Sequence, residues 1–333
     1  MQIISGESFA EQISAWGVRC SFLDYNLAPQ LVKYNFTMQN LLQLAKLKKM
    51  TESIKAWSGL DTEIETAQGG FSIVQPLKER QIVGYGEFCD ILSTAKPYSV
   101  ALGMNQNNEP ITATLDEMTH IFCGGCTSSG KSVFLNSFIA SLCSHNSPKD
   151  LQLILCDIKK VEFAKFNRLA HLVLPIANET KTMKSALDYA VNEMEKRYTL
   201  METMGINENH GQFPKLVIVV DELADAVLQN DCDITTPLIR LAQKGRACGI
   251  HLCLCTQSIR VKVCGDGLLL ANIPTRLVLT CSSFRESVLA LGKAGAEKLT
   301  GKGDALLKLP SMVNEIRIQV PYISNEDIMA MYE

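Results

Sequence analysis

The chain has 333 residues, 47% apolar and 20% charged, close to the averages of soluble globular proteins, which excludes a disordered, collagenous or coiled-coil chain and allows one large or two ordinary domains. Thirty-two basic against thirty-five acidic side chains leave a formal net charge of −3, so a nucleic-acid partner has to be sought in a local patch rather than in the global charge. The opening MQIISGESFAEQ has no basic start and no continuous apolar run, and no stretch of about 18 apolar residues occurs anywhere, so the expectation is a cytoplasmic chain without an export signal or membrane segment.

Residues 32–39 place Val32, Tyr34, Phe36 and Met38 alternately with polar neighbours, the period of a half-buried strand. Leu44, Leu47, Met50, Ile54 and Trp57 then recur at three and four residues, predicting one helix that Gly59 terminates. DTEIET and FSIV flank Gly69-Gly70 as the strands of a hairpin do. Residues 1–95 are therefore expected to form a small α+β module. From about residue 96 the pattern changes to strands apolar on both faces, alternating with helices: IFCGG (121–125), LQLILC (151–156), LVIVV (216–220), IHLCLC (250–255) and RLVLT (276–280). Such runs predict a buried, mainly parallel sheet covered by helices over residues 96–333. Met183, Leu187, Val191, Met194, Tyr198 and Met201 mark a long amphipathic helix, and ALLKLP with EIRIQV an added hairpin. Cysteines such as Cys156, Cys253 and Cys255 lie inside apolar strands, as reduced core residues do.

Chemistry is concentrated at the ends of three of these strands. IFCGGCTSSGKS fits G-x-x-x-x-G-K-[ST] directly after a strand and before a helical run. Backbone N–H groups from Gly125, Cys126, Thr127, Ser128, Ser129, Gly130, Lys131, Ser132 and Val133, with the positive end of the helix dipole, can wrap a polyphosphate. Lys131 is then placed for the β- and γ-phosphates of ATP and Ser132 for Mg2+. The run Leu216–Val220 ends in Asp221-Glu222, like a Walker B strand, which makes Asp221 a magnesium ligand and Glu222 the general base; the alternative is a solvated turn. Thr256-Gln257 ends a further strand, and Gln257 is either a sensor of the γ-phosphate or a strand-capping amide. Cys123-Gly-Gly-Cys126 has no second pair at zinc-finger spacing, which favours core cysteines over zinc or redox chemistry. Residues 260–308 carry eight basic against four acidic side chains, either a track for a phosphate backbone or a solvated face.

The stretches VALGMNQNNEPITATLDEMTHIFCGGCTSSGKSV, EMEKRYTLM, PKLVIVVDELADAV, IRLAQKGRACGIHLCLCTQ, ANIPTRLVLTCSS and AGAEKLTGKGDALLKLP together resemble the motor of the FtsK/SpoIIIE family of DNA translocases, in the family's order and over nearly all of residues 96–333. The resemblance implies a RecA-like P-loop NTPase core preceded by a small α+β subdomain, with ATP hydrolysed at the subunit interfaces of a homo-hexamer that pumps double-stranded DNA through its channel. It places Arg276 at the family's arginine finger, with Arg246 the second candidate and a plain salt-bridge role the alternative. It puts Arg285, Lys298 and Lys302 in the region of the pore loops. The chain departs from the family at CTSS, where a further glycine is usual, at Ser258-Ile259 in place of Arg-Pro, and at the basic residue after SS, displaced here to Arg285. The residues up to the closing MYE include neither the family's membrane-spanning N-terminal segment nor its C-terminal winged helix, so the expectation is either a fragment of a longer motor or a stand-alone relative that other proteins recruit to a membrane or transfer complex. A ring ATPase that moves protein and a nucleotide-gated DNA tether remain the competing readings.

Overall fold

The computed structural model describes residues 4–77, 81–229 and 231–331; Met1–Ile3 of the opening segment and Tyr332-Glu333 of the closing one lie outside them. The chain divides into two compact units, one running to Ile82 and including Met104–Glu109, the other comprising Val83–Gly103 and everything from Pro110 onward.

In the first unit, α1 (Gly6–Ala15) starts where the Ser5 hydroxyl accepts the Ser8 N–H, and it buries Phe9 and Ile13. The strands β1 (Cys20–Leu27), β2 (Leu31–Met38), β3 (Glu63–Ala67) and β4 (Gly70–Pro76) form an antiparallel sheet of order β1-β2-β4-β3. The β3–β4 hairpin follows the sequence expectation, with Gly69 at φ +78°. The helix expected over Leu44–Trp57 is two helices, α2 (Leu44–Lys49) and α3 (Thr51–Ser58). The Thr51 hydroxyl donates to the Lys48 carbonyl at 2.8 Å, a local bond that competes with the helical ladder at the junction. Gly59 ends α3 in the left-handed conformation as expected. Phe9, Ile13, Tyr34, Phe36, Leu47, Ile54, Phe71 and Ile73 form the core.

The second unit contains α4 (Gly86–Thr94), β5 (Ser99–Asn105) except its last two residues, β6 (Pro110–Thr114), α5 (Leu115–Met118), β7 (Ile121–Gly124), α6 (Lys131–Ser144), β8 (Leu151–Cys156) and α7 (Thr180–Met204). It continues with β9 (Lys215–Val220), α8 (Leu223–Gln229), α9 (Thr235–Lys244), β10 (Ile250–Thr256), α10 (Leu268–Ala271), β11 (Thr275–Leu279), α11 (Phe284–Leu291), β12 (Asp304–Lys308), β13 (Ile316–Gln319) and α12 (Asn325–Ala330). Its sheet has the order β6-β5-β13-β12-β11-β7-β10-β9-β8 among the described residues. The run from β11 to β8 is parallel throughout, and β12 and β13 add an antiparallel hairpin at Leu279↔Ala305 and Leu307↔Ile316. The predicted strands are thus those of the parallel core, a P-loop NTPase arrangement in which β10 separates the strand before the phosphate loop from the strand that ends in Asp221. Cys123, Cys156, Cys253 and Cys255 are buried free thiols.

Helix α7 shows how the covering layer is fixed. Met183, Leu187, Val191, Met194 and Met201 enter the core, and the Tyr198 hydroxyl donates to Lys244 O at 2.7 Å. Arg197, 1% exposed, donates from Nε to Glu193 at 2.9 Å and from Nη1 to Pro214 O at 2.8 Å and Cys248 O at 3.0 Å. One guanidinium therefore ties α7 to the chain entering β9 and β10, the two strands that deliver the acidic and amide groups of the site. Removing it strands two carbonyls and a carboxylate, so Arg197→Ala is expected to lower stability by about 3 kcal/mol, a fall of roughly 6–12 °C in thermal unfolding. Arg197→Lys should recover only part of this, because an ammonium cannot span the same fork.

Candidate nucleotide-binding site

The site lies at the carboxyl ends of the parallel strands. The loop after β7 is hung between its two neighbours: Gly125 N–H donates to Thr256 O of β10 at 3.2 Å, and Cys126 N–H to Thr280 O just after β11 at 2.8 Å. Close packing explains its glycines. A Cβ on Gly125 would lie 2.7 Å from Leu279 and from the Ser129 hydroxyl, and one on Gly130 would lie 2.4 Å from the Gly303 nitrogen. Gly130, at φ +113°, is the N-cap of α6 and offers no side chain to the first N–H groups of that helix. Those donors are left for an anion.

Lys131 is 4% exposed, and its ammonium sits 3.0 Å from Asp221 Oδ1, 2.8 Å from Asp221 O and 3.3 Å from Glu222 Oε2. Burial works against its charge, yet the carboxylates of Asp221 and Glu222 outweigh that and hold it above the ordinary lysine range. Burial pushes the Asp221 carboxyl up to about 6, with Lys131 pulling against it. Glu222 is held on every side: Oε1 accepts from the Thr256 hydroxyl at 2.7 Å, and Oε2 accepts the Gln257 N–H at 2.9 Å. Gln257 in turn accepts, through Oε1, from the Thr127 hydroxyl of the phosphate loop at 3.0 Å. The structure therefore brings Lys131, Asp221, Glu222 and Gln257 into one connected cluster.

Sequence reasoning missed three members of this site. Asp157, at the end of β8, accepts the N–H groups of Glu162 and Phe163 at 2.9 and 3.0 Å and so shapes the turn after the strand. That turn carries Glu162 to the Ser132 hydroxyl, which donates to it at 2.5 Å, and Lys159 to Asp225 at 3.2 Å and Glu222 at 3.9 Å. The only available signal was an acid and lysines just after a buried strand, a pattern too common to single out. The residues present fit ATP and magnesium: the buried Ser129 and Thr280 hydroxyl oxygens have no hydrogen-bond partner among the described residues, and Ser132 and Asp221 supply hard oxygen donors.

The arginine candidates lie elsewhere. Arg276 of β11 pairs in register with Phe122, below the loop; its Nη2 donates to Leu270 O and its guanidinium lies over the Phe122 ring at 5.7 Å. Burial brings it down to about 10. Arg246 is exposed at the start of β10, the opposite end of that strand from Gln257. Arg285 and Lys298 are exposed on α11 and the turn that follows. Lys302 is also exposed, and the turn bearing it touches the phosphate loop.

The glycine missing from CTSS has a structural equivalent. Ser128 stands at φ +62°, in the left-handed region where a side chain costs about 1 kcal/mol or more. Ser128→Gly should therefore bind nucleotide at least as tightly as the unaltered chain. Ser128→Val, β-branched at the same φ, should weaken binding by about tenfold or more in a nucleotide titration.

Known proteins give the site its context. The curated DNA translocase SftA of Bacillus subtilis is 32% identical over 332 residues, covering 94% of this chain and 35% of that protein. DNA translocase FtsK of Lactiplantibacillus plantarum is 31% identical, covering 97% and 44% respectively. The chain thus spans well under half the length of these relatives. Among solved structures, the pCW3 conjugation coupling protein TcpA, determined in monomer form with ATPγS, matches with a TM-score of 0.67 at 20% identity, over 98% of this chain and 99% of that one. The cytoplasmic domain of the Thermomonospora curvata type VII secretion ATPase EccC matches at 0.62 and 22% identity, over 72% of this chain and 32% of that one. At these identities the likeness is one of fold. The profile of the FtsK/SpoIIIE family matches residues 93–212 and 207–261, the stretch that carries Lys131, Asp221, Glu222 and Gln257, and the chain belongs to that family.

Proposed function

We propose that the chain is the ATP-hydrolysing motor of a double-stranded DNA translocase, working as a homo-hexamer with its sites at subunit interfaces. The observation that carries the chemistry is the buried cluster of Lys131, Asp221, Glu222 and Gln257 beside an uncapped helix N-terminus. What supports DNA as the substrate is the pair of relatives named DNA translocases, at 31–32% identity over almost the whole chain.

Ser132 and Asp221 would hold magnesium, which when bound would supply charge neutralisation at the phosphates. Backbone N–H groups of the loop and of α6 orient the phosphate chain, and Lys131 offsets charge building on the β,γ-bridging and terminal oxygens. Glu222 takes the proton of the attacking water as oxygen bonds to the γ-phosphorus and the bond to ADP breaks. To do so it must exchange its bonds to Lys131, Thr256 and Gln257 for one to water. Gln257 links Thr127 to Glu222 and so passes the state of the phosphate loop to the chain leaving β10. Arg285 and Lys298 track the duplex phosphates. Arg276 acts on the neighbouring subunit's nucleotide, which requires it to leave Leu270 and Phe122.

Glu222→Gln is expected to keep nucleotide binding and lose turnover, because a carboxamide cannot take the proton, whereas Lys131→Ala weakens binding itself; steady-state hydrolysis alongside a nucleotide titration separates the two. Duplex DNA should stimulate hydrolysis, and Arg285→Ala should reduce the log–log salt slope of duplex binding by about one unit. Unaltered hydrolysis with duplex at low salt, on protein verified as a hexamer, would favour a protein-moving ATPase. Arg276→Ala mixed with Glu222→Gln should regain activity where mixed rings form; a lack of rescue assigns the finger to Arg246 or to no trans residue.

A further inference from the structure

Beside the phosphate loop, on the side away from Asp221 and Glu222, lies the turn Thr300–Asp304. Sheet order dictates this placement: β9 and β10 flank β7 on one side, β11 and β12 on the other, and the turn leads directly into β12. The two loops are in contact. Gly303 N–H donates to Ser129 O at 2.6 Å, and Gly130 packs so closely that an added Cβ would meet the Gly303 nitrogen at 2.4 Å and the Lys302 carbonyl carbon at 3.3 Å.

The turn is held from beneath. Asp304, fully buried, accepts from the Thr300 N–H at 2.8 Å and hydroxyl at 2.7 Å, and from Arg317 Nε and Nη2 at 2.9 and 2.8 Å. Gln319 Nε2 donates to Lys302 O at 2.9 Å. This frame keeps Lys302 at φ +53°, a conformation that only a local constraint maintains in a lysine. Its side chain is exposed, with no carboxylate in ion-pair distance among the described residues. Around the same contact lie the unpartnered hydroxyl oxygens of Ser129, 1% exposed, and Thr280, the latter 3.7 Å from a Cβ built on Gly301. The turn thus brings the backbone of an exposed lysine beside the phosphate loop, next to two hydroxyl oxygens without a hydrogen-bond partner, and a phosphate chain bound there would give the ammonium and the hydroxyls an acceptor.

We infer that Lys302 is a nucleotide-binding residue, which clamps the phosphate chain of ATP from the β12 side of the loop in its own subunit. The inference rests on the ATP-binding reading of that loop and goes beyond it by adding a second lysine, from a distant segment, to the recognition of the anion. Lys131, already paired with Asp221 and Glu222, contributes little net charge to the free site. Lys302 supplies the uncompensated one.

The test is equilibrium titration with a fluorescent ATP analogue and magnesium, without DNA, on the full chain. Lys302→Gly removes the ammonium while relieving the positive φ, so a loss cannot be blamed on strain; its dissociation constant is expected to rise about tenfold, with thermal unfolding unchanged. Lys302→Arg should retain most of the affinity. In a separate salt series, the log–log slope of duplex binding should stay unaltered in Lys302→Gly. Wild-type nucleotide affinity in that variant overturns the inference, and a salt slope reduced by about one unit beside it makes Lys302 a duplex contact instead. If Lys131→Ala, run in parallel, also binds like wild type, the ATP-binding reading itself has failed and this inference falls with it.

Discussion

An ammonium that is 4% exposed can exist in a protein only if carboxylates share its burial, and Lys131 meets that requirement through Asp221 and Glu222. Much of the architecture follows. The two acids must reach the end of β9 while the lysine starts α6, and β10 stands between their strands, so its last residues, Thr256 and Gln257, are forced into the same polar cluster. There they hold Glu222 with a hydroxyl and an N–H, donors that replace the water its burial removes. The resting site is a closed set of mutual bonds.

Such closure has a consequence for how the site responds to ligand. Any anion that draws Lys131 away leaves Asp221 and Glu222 facing one another with less neutralisation, and a divalent cation arriving with the anion restores the balance. Glu162 fits the same logic, since it occupies the Ser132 hydroxyl until something else does. Lys159, reaching Asp225 and Glu222 from the same turn, adds positive charge beside the acids and limits their repulsion. Polar groups in low dielectric respond collectively, so a change at one strand end is felt at the others.

Much of this was legible in the sequence because the signals are local. A glycine-rich loop between an apolar strand and a helix, and a run of five apolar residues ending in two acids, have few other physical uses in combination. The buried strands declared themselves by being apolar on both faces, and Gly59 and Gly69 by their place at an element's end. What stayed hidden depends on tertiary partners. Strand β1 alternates poorly and is largely exposed, so its period carries no message. The break at Met50 turns on one threonine hydroxyl. Asp157 and Glu162 gain meaning only once β8 stands in the same sheet as β7, and the turn at Lys302 only once β12 is seen to lie beside β11.

The position of β7 also bears on how the chain reaches this state. Its partners β10 and β11 begin at Ile250 and Thr275, more than a hundred residues downstream, and the loop after it hangs from Thr256 and Thr280. During synthesis the glycine-rich segment therefore emerges long before the strands that shape it, while β8 and β9 can pair earlier. Loop-closure entropy makes such non-local parallel pairing slow, and an apolar strand waiting without neighbours is an aggregation hazard. The polar residues of CTSSGKS and the long covering helix α7, which can form from local contacts, lessen that exposure in the interval. Nucleotide-binding competence accordingly waits on β11, and a nascent chain that ends before Thr275 lacks both that strand and the Thr280 carbonyl from which Cys126 hangs.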